Sequence, residues 1–360
     1  MEKYLKSEEK ITLSLRSLYS KYGYLPYKMN KFEEYDLYAK NKDFLIGDGV
    51  ITFTDTNGKL LALKPDVTLS IIKNASDEKC TKSKVYYNEN VYRISGGTRE
   101  YKEIMQTGLE CIGDIDLYDT YEVLSLARQT LEAISADYVL EISHMGIIFG
   151  ILNKISDNKA FYEEALECIE KKSIHEIKMV CAKYGLNEES EALLCKLVSL
   201  YGKPSDVLSR LNELDKLVCF GECLDELKTI CKLLDNDGDG SKIRLDFSIV
   251  NDMKYYNGIV INGYINGICE CVLYGGCYDK LLSKMGKSSR GMGFAIYTDL
   301  LAQLNSSKGG YDVDTIILYS DKTSVCDVKE AIEKEILSGK SVSAQKSIPK
   351  KLRYREIKEI

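Results

Sequence analysis

The chain has 360 residues and is 44% hydrophobic, which fits one large globular domain, or a large and a small one, and excludes a disordered chain. Its 49 Lys and Arg against 55 Asp and Glu give a net charge of -6, and no long basic block offers the broad cationic surface that nucleic-acid binding uses. The charged start MEKYLKSEEK lacks the apolar core of a signal peptide, and no run nears the ~18 apolar residues of a membrane span, so a soluble cytoplasmic protein is expected.

Residues 8–22 place Ile11, Leu15, Leu18, Tyr19 and Tyr22 at helical spacing, with Gly23 as a stop. GVITFTDTNGKLLALKPD reads as two strands around Asn57-Gly58, whose turn positions both favour positive φ. Pro65 ends the second strand and VTLSIIKNA begins a helix. ENVYRISGGTREYKEIMQTGLECIG, residues 89–113, reads as a second hairpin across a short glycine turn. Residues 116–136 return to helix, and DYVLEIS is a further strand. From about 145 to 236 the pattern is helical almost throughout, as in an insertion into a sheet-based domain. Strands resume at IRLDFSIV, YYNGIVINGY and GICECVLYGG, and a last helix is expected near 293–305. SSKGGYD, residues 306–312, is the clearest linker. The expected division is a core of residues 1–308 and a short α/β segment, 309–360, containing the strand VDTIILYS and a helix from Ser324 to about Leu337. Hairpin-linked antiparallel strands with flanking helices indicate an α+β class, and strict βαβ alternation is missing.

The 12 cysteines follow no framework spacing and include no C-x-x-C pair, with Cys168 and Cys195 in helical pattern and Cys269 and Cys271 in a strand. Reduced, mostly buried thiols are expected. With only His144 and His175 available, no zinc site is expected either. DNDGDGSKIRLD sets Asp235, Asp237, Asp239 and Asp246 at calcium-loop spacing, but the last position is the shorter acid and a strand follows, so a solvated loop is expected. MGKSSRGMGF contains Gly-Lys-Ser, yet Leu281 stands where a phosphate loop needs glycine.

Along YKEIMQTGLECIG the two-residue period puts Gln106, Gly108, Glu110 and Ile112 on one face. An amide, a gap and an acid then line one side of a strand, the polar Cα atoms ~13 Å apart at ~3.4 Å per residue. Taken alone, the pattern also describes a strand with polar residues facing water. Three other stretches add to it: KPDVTL, with Asp66 and Thr68 where a strand meets a helix; the tyrosine pair of NDMKYYNGIV; and the glycines of LYGGCYDKLLSKMGKSSRGMGFAI.

In this order the stretches resemble class II aminoacyl-tRNA synthetases, and among them the histidyl-tRNA synthetases, from the first helix to about residue 305. KPDVT resembles the family's R-P-E-G-T, VYR to GLECIG resembles motif 2 and its following strand, YYNGIV resembles Y-Y-T-G-x-V, and GGCYDKLL with GMGFAI resembles G-G-R-Y-D and motif 3. The resemblance implies a six- or seven-stranded antiparallel sheet flanked by helices. It implies histidine as the ligand: Asp66, Thr68 and Gln106 at its ammonium end, Glu110 and one of Tyr255 or Tyr256, with Tyr256 favoured, at the imidazole, and Arg93 facing the carboxylate.

The activation machinery of the pattern is interrupted. Ser95 stands for a glutamate, and Asn251, Cys277 and Leu300 stand for arginines that would steady charge on ATP phosphates. The chain also stops about halfway through what would be the anticodon-binding domain. This combination resembles the regulatory subunits of ATP phosphoribosyltransferase. It implies a non-catalytic, cofactor-free chain that binds histidine as effector and regulates a short-form catalytic subunit, as a homodimer within a hetero-oligomer. A divergent histidyl-tRNA synthetase is the alternative, and a synthetase-like tRNA-binding or sensor module is a third, without a basic stripe to support it.

Overall fold

The structure, a computed structural model, describes residues 5, 7–45, 49–78, 80–94, 100–238, 240–250, 255–305 and 311–360. The expectations placed on Ser95, Asp239, Asn251, the glycine turn at 95–99 and most of the linker at 306–310 lie outside these residues. The chain divides into two compact units, Met1–Gln303 and Leu304–Ile360.

The first unit is built on a nine-stranded sheet. From one edge the strands are Leu25–Pro26, Lys82–Ile94, Tyr101–Gly113, Arg290–Tyr297, Leu273–Cys277, Ile259–Ile265, Tyr138–His144, Ile243–Asp246 and Tyr201–Gly202. The six from Lys82–Ile94 to Tyr138–His144 pair antiparallel throughout. Parallel pairing at both flanks, of Leu25–Pro26 and of Ile243–Asp246, carries the sheet beyond the six or seven antiparallel strands expected. The register that matters runs across the centre: Tyr87 faces Gly108, Gly108 faces Ala295, and Ala295 faces Tyr274.

Helix Leu117–Ile134 packs on one face of the sheet, burying Val123, Leu124, Leu126, Ala127 and Leu131. Its start is fixed by a capping box: the Asp116 carboxylate accepts from the backbone N–H of Tyr118 and Asp119, and the Asp119 carboxylate accepts from that of Asp116. Lys82, at the start of its strand, closes on Asp119 at 2.6 Å. A second apolar cluster gathers Val67, Leu69, Ile72, Tyr87, Tyr255, Tyr278, Leu281 and Leu282 around the short helix Thr68–Asn74. Residues 145–236 form six helices, Met145–Ile155, Lys159–Glu170, Ile174–Lys183, Glu188–Val198, Pro204–Val218 and Gly221–Asn236, interrupted by the two-residue strand Tyr201–Gly202.

Several local expectations are corrected. The helix expected at 293–305 is strand Arg290–Tyr297 followed by a 3₁₀ turn, Thr298–Leu301, and a four-residue helix, Ala302–Asn305. Its RGMGFAIY alternates glycine or alanine with Met292, Phe294 and Ile296, and both glycines sit where the sheet has no room for a side chain. Cys269 and Cys271 lie in the connection before strand Leu273–Cys277, not in the strand. At the first hairpin only Gly58 has positive φ, +80°, because the loop is longer than two residues; the Asp55 carboxylate accepts from the N–H of Asn57 and Lys59 and holds it. All 12 cysteines are free, but only six are buried; Cys80, Cys219, Cys269 and Cys326 are exposed at turns and helix ends.

The acidic stretch at 235–246 is not arranged as a calcium loop. Asp235 is still in helix Gly221–Asn236, Asp237 accepts from Tyr121 and Ser125, and Asp246 pairs with Lys172 at 2.7 Å. Among the described residues no group of three or more His, Cys, Asp or Glu could hold a metal ion, and no helix is long and apolar enough to cross a membrane.

The second unit carries a parallel three-stranded sheet in the order Val342–Gln345, Val313–Leu318, Tyr354–Glu359. Helix Val325–Leu337, N-capped by Ser324, makes the crossover between the first two strands in sequence.

Candidate functional site

Asp66, Thr68, Arg93, Gln106, Glu110, Tyr255 and Tyr256 all line one cavity on the sheet face opposite the Leu117–Ile134 helix. The two-residue period carries Gln106 and Glu110 into it together, with Gly108 between them. Glycine is required there, because a Cβ on Gly108 would lie 2.6 Å from the Tyr87 hydroxyl. One strand further, a Cβ on Gly293 would lie 1.9 Å from Glu110 Oε2, so Gly293 is the space Glu110 occupies.

Glu110 is the chemical centre. It is 2% exposed, and its two oxygens accept from Thr68 Oγ1 at 2.7 Å and Tyr278 Oη at 2.5 Å. Burial pushes its carboxyl up to about 8, against the pull of those two donors. Asp66 stands just ahead of the N-cap of helix Thr68–Asn74, accepts from the Leu69 N–H at 2.8 Å, and still faces the cavity. Burial raises its carboxyl too, although the Leu69 N–H and Arg93 work the other way.

Arg93 lies across the cavity wall. Its Nε donates to the Pro65 carbonyl at 3.0 Å and its Nη1 to the Tyr297 hydroxyl at 3.1 Å, with the guanidinium 5.9 Å from that ring's centre. Gln106 is 3% exposed, yet its side-chain amide makes no hydrogen bond among the described residues. Tyr255 does two jobs. It belongs to the apolar cluster, edge-on to Tyr256 at 4.7 Å and Tyr278 at 5.9 Å, and it also lines the cavity.

The residues sequence reasoning missed are mostly tyrosines: Tyr87, Tyr274, Tyr278 and Tyr297 complete the wall. Tyr278 stood in the quoted GGCYDKLL stretch, and the others become visible only once the strand register is known. The cavity itself is small, ≈ 40 Å³, room for about three waters at ~10–15 Å³ each. A cation, two carboxyls, an amide and several phenols in so small a space offer complementary partners to the charged and hydrogen-bonding groups of a small zwitterion.

Known proteins match the chain and its fold. The family model for histidyl-tRNA synthetase matches residues 2–301. The ATP phosphoribosyltransferase regulatory subunit of Ruminiclostridium cellulolyticum is 22% identical over 365 residues, covering 98% of this chain and 87% of that protein. A solved structure described as an ATP phosphoribosyltransferase regulatory subunit/histidyl-tRNA synthetase from Bacillus halodurans superposes with a TM-score of 0.76 at 22% identity, covering 98% of this chain and 93% of the other. A chain of the ATP phosphoribosyl transferase complex from Thermotoga maritima gives a TM-score of 0.65 at 20% identity, covering 81% and 97%. With the family match running through the sheet, the helices and every wall of the cavity, the chain belongs to the histidyl-tRNA synthetase family and has its class II, α+β fold.

Proposed function

We propose that this chain is the non-catalytic regulatory subunit of ATP phosphoribosyltransferase, the enzyme of the first step of histidine biosynthesis. In this reading it binds histidine as effector and passes the signal to a separate short catalytic chain. The observation that carries it is the meeting of Asp66, Thr68, Arg93, Gln106, Glu110, Tyr255 and Tyr256 in one cavity, while positions where synthetases carry ATP-steadying arginines hold neutral groups. Leu300 is aliphatic, and Cys277 is a buried thiol pushed up to about 12 by desolvation, so neither supplies a cation. The name of the Ruminiclostridium relative and the Thermotoga complex support the same assignment.

Histidine's ammonium would lie against Asp66, Thr68 and Gln106, its carboxylate toward Arg93, and its ring between Glu110 and Tyr256. Glu110 and the imidazole are matched as a proton-sharing pair. An acid that ionises near 8 faces a ring whose ordinary value is ~6.5, so one proton serves both. The volume of ≈ 40 Å³ requires a wall to give way, and tyrosine rings are the walls able to swing. Histidine binding then biases a partner through a coupling of ~1–3 kcal/mol. A homodimer of this chain would hold the catalytic subunits in the active hetero-oligomer.

The test is to mix the purified chain with a short-form catalytic subunit and assay phosphoribosyl-ATP formation with and without histidine. Activity that needs both chains and falls on adding histidine supports the reading. A catalytic chain indifferent to this protein overturns it, and histidine-dependent ATP–pyrophosphate exchange by this chain alone would assign it to aminoacylation instead.

A further inference from the structure

Beside the histidine cavity lies a larger one of ≈ 390 Å³, within the range of small-molecule sites. The two share three walls, Tyr256, Tyr274 and Tyr297. Val260 and Leu300 add apolar surface, Asn262 is its buried polar group, and Glu270 stands exposed at the rim. We propose that this second cavity is a ligand site for a small aromatic monocation, and that it and the first cavity cannot be filled together.

Charge selects the ligand class. Among the described residues no Lys, Arg or His lines the cavity, so a phosphate or carboxylate entering it would meet no counter-charge from them to offset its lost hydration. The rim is acidic instead. Glu270 accepts from Gln303 at 3.3 Å, and its charge adds to burial in raising the carboxyl of nearby Asp299, with Lys102 the opposing cation. The aromatic walls suit the same ligand. Tyr297 already carries a guanidinium over its ring, that of Arg93, which lines the first cavity and not the second. Tyr274 stands edge-on to Tyr297 at 5.4 Å, so rings of differing orientation border the space and offer faces to a cation.

Exclusion follows from the shared walls. The first cavity is too small for an amino acid unless a tyrosine moves, and all three tyrosines it shares also border the larger cavity. A ring displaced to admit histidine takes up room that a second ligand would need. The exclusion rests on the histidine reading; the second site does not.

Calorimetric titration of the full chain with benzylamine, and with benzoate and benzyl alcohol as shape-matched controls, tests both parts. Benzylamine is expected to bind at least ~10-fold tighter than benzoate, and saturating histidine to weaken it by ~5-fold or more. Leu300→Trp, which plugs the rim, is expected to abolish benzylamine binding and leave histidine titration intact, and Glu270→Gln to weaken benzylamine ~3- to 10-fold. Benzoate binding as well as benzylamine, or both variants binding benzylamine like the native chain, overturns the second site. Benzylamine binding untouched by saturating histidine overturns the exclusion alone. Benzylamine binding with no histidine binding keeps the second site and counts against the proposed function.

Discussion

Replacing Glu110 by glutamine should change how stability depends on pH more than it changes stability itself. The Glu110 carboxyl moves from an ordinary value near 4.5 to about 8 in the folded protein because burial strips its water. Below ~4.5 the folded and unfolded chains both hold the proton. Between ~4.5 and ~8 only the folded chain holds it, so the native protein loses ~1.4 kcal/mol of stability for each pH unit gained, ~5 kcal/mol across the window, and nothing further above ~8. Gln cannot ionise and removes this slope. It also changes the hydrogen bonding, since an amide N–H meets one of the hydroxyls that now donate to Glu110, and Thr68 or Tyr278 must turn to accept. That offset is ~1 kcal/mol and independent of pH. Asp66 titrates in both proteins and cancels to first order. Urea unfolding of native protein and E110Q from pH 5 to 9, followed by far-UV circular dichroism because the chain has no tryptophan, should show the variant gaining on the native protein as pH rises and overtaking it by pH 9. A stability difference that stays constant over that window would refute the argument that desolvation governs this carboxyl.

Three other outcomes are expected. Gln106→Leu should lower histidine affinity by ~10-fold or more in calorimetry while leaving the melting temperature unchanged or raised, because the amide has no partner among the described residues to lose. Gly293→Ala drives a methyl group into Glu110 Oε2 and the Leu109 carbonyl, and should cost ~1–3 kcal/mol in urea unfolding together with loss of histidine binding. Lys64→Met leaves Glu89, in strand Lys82–Ile94, without its ion-pair partner; with Lys64 only 1% exposed, a loss of ~3–5 kcal/mol should appear in the same unfolding assay.

Much of the site was legible because its spacing is local. Gln106 and Glu110 are four residues apart on one strand, so the pleat alone puts them on one face. Asp66 and Thr68 announce themselves by their place between Pro65 and an apolar helical run. The strand at Arg290–Tyr297 was misread because glycines beside an apolar run look like a helix boundary, whereas here they are the positions over which Glu110 and Tyr278 lie. Tyr87, Tyr274 and Tyr297 were invisible for a different reason. Each reaches the cavity from its own strand, and only the register that sets Tyr87 on Gly108 and Tyr274 on Ala295 brings them together. Lys64 was overlooked because a lysine after a strand is ordinarily solvated, and its burial depends on Glu89 being 25 residues away in sequence and adjacent in space.

The segment from Lys64 to Thr68 is tied down residue by residue: Lys64 by Glu89 and by the Tyr92 N–H on its carbonyl, Pro65 by Arg93, Asp66 by the Leu69 N–H, and Thr68 by Glu110. A guest entering the cavity therefore finds this stretch of backbone already frozen in place and spends little of its binding free energy on ordering it. What motion recognition demands falls instead on aromatic side chains, each with only two torsions to fix, so the entropic toll of capture is confined to a few rings.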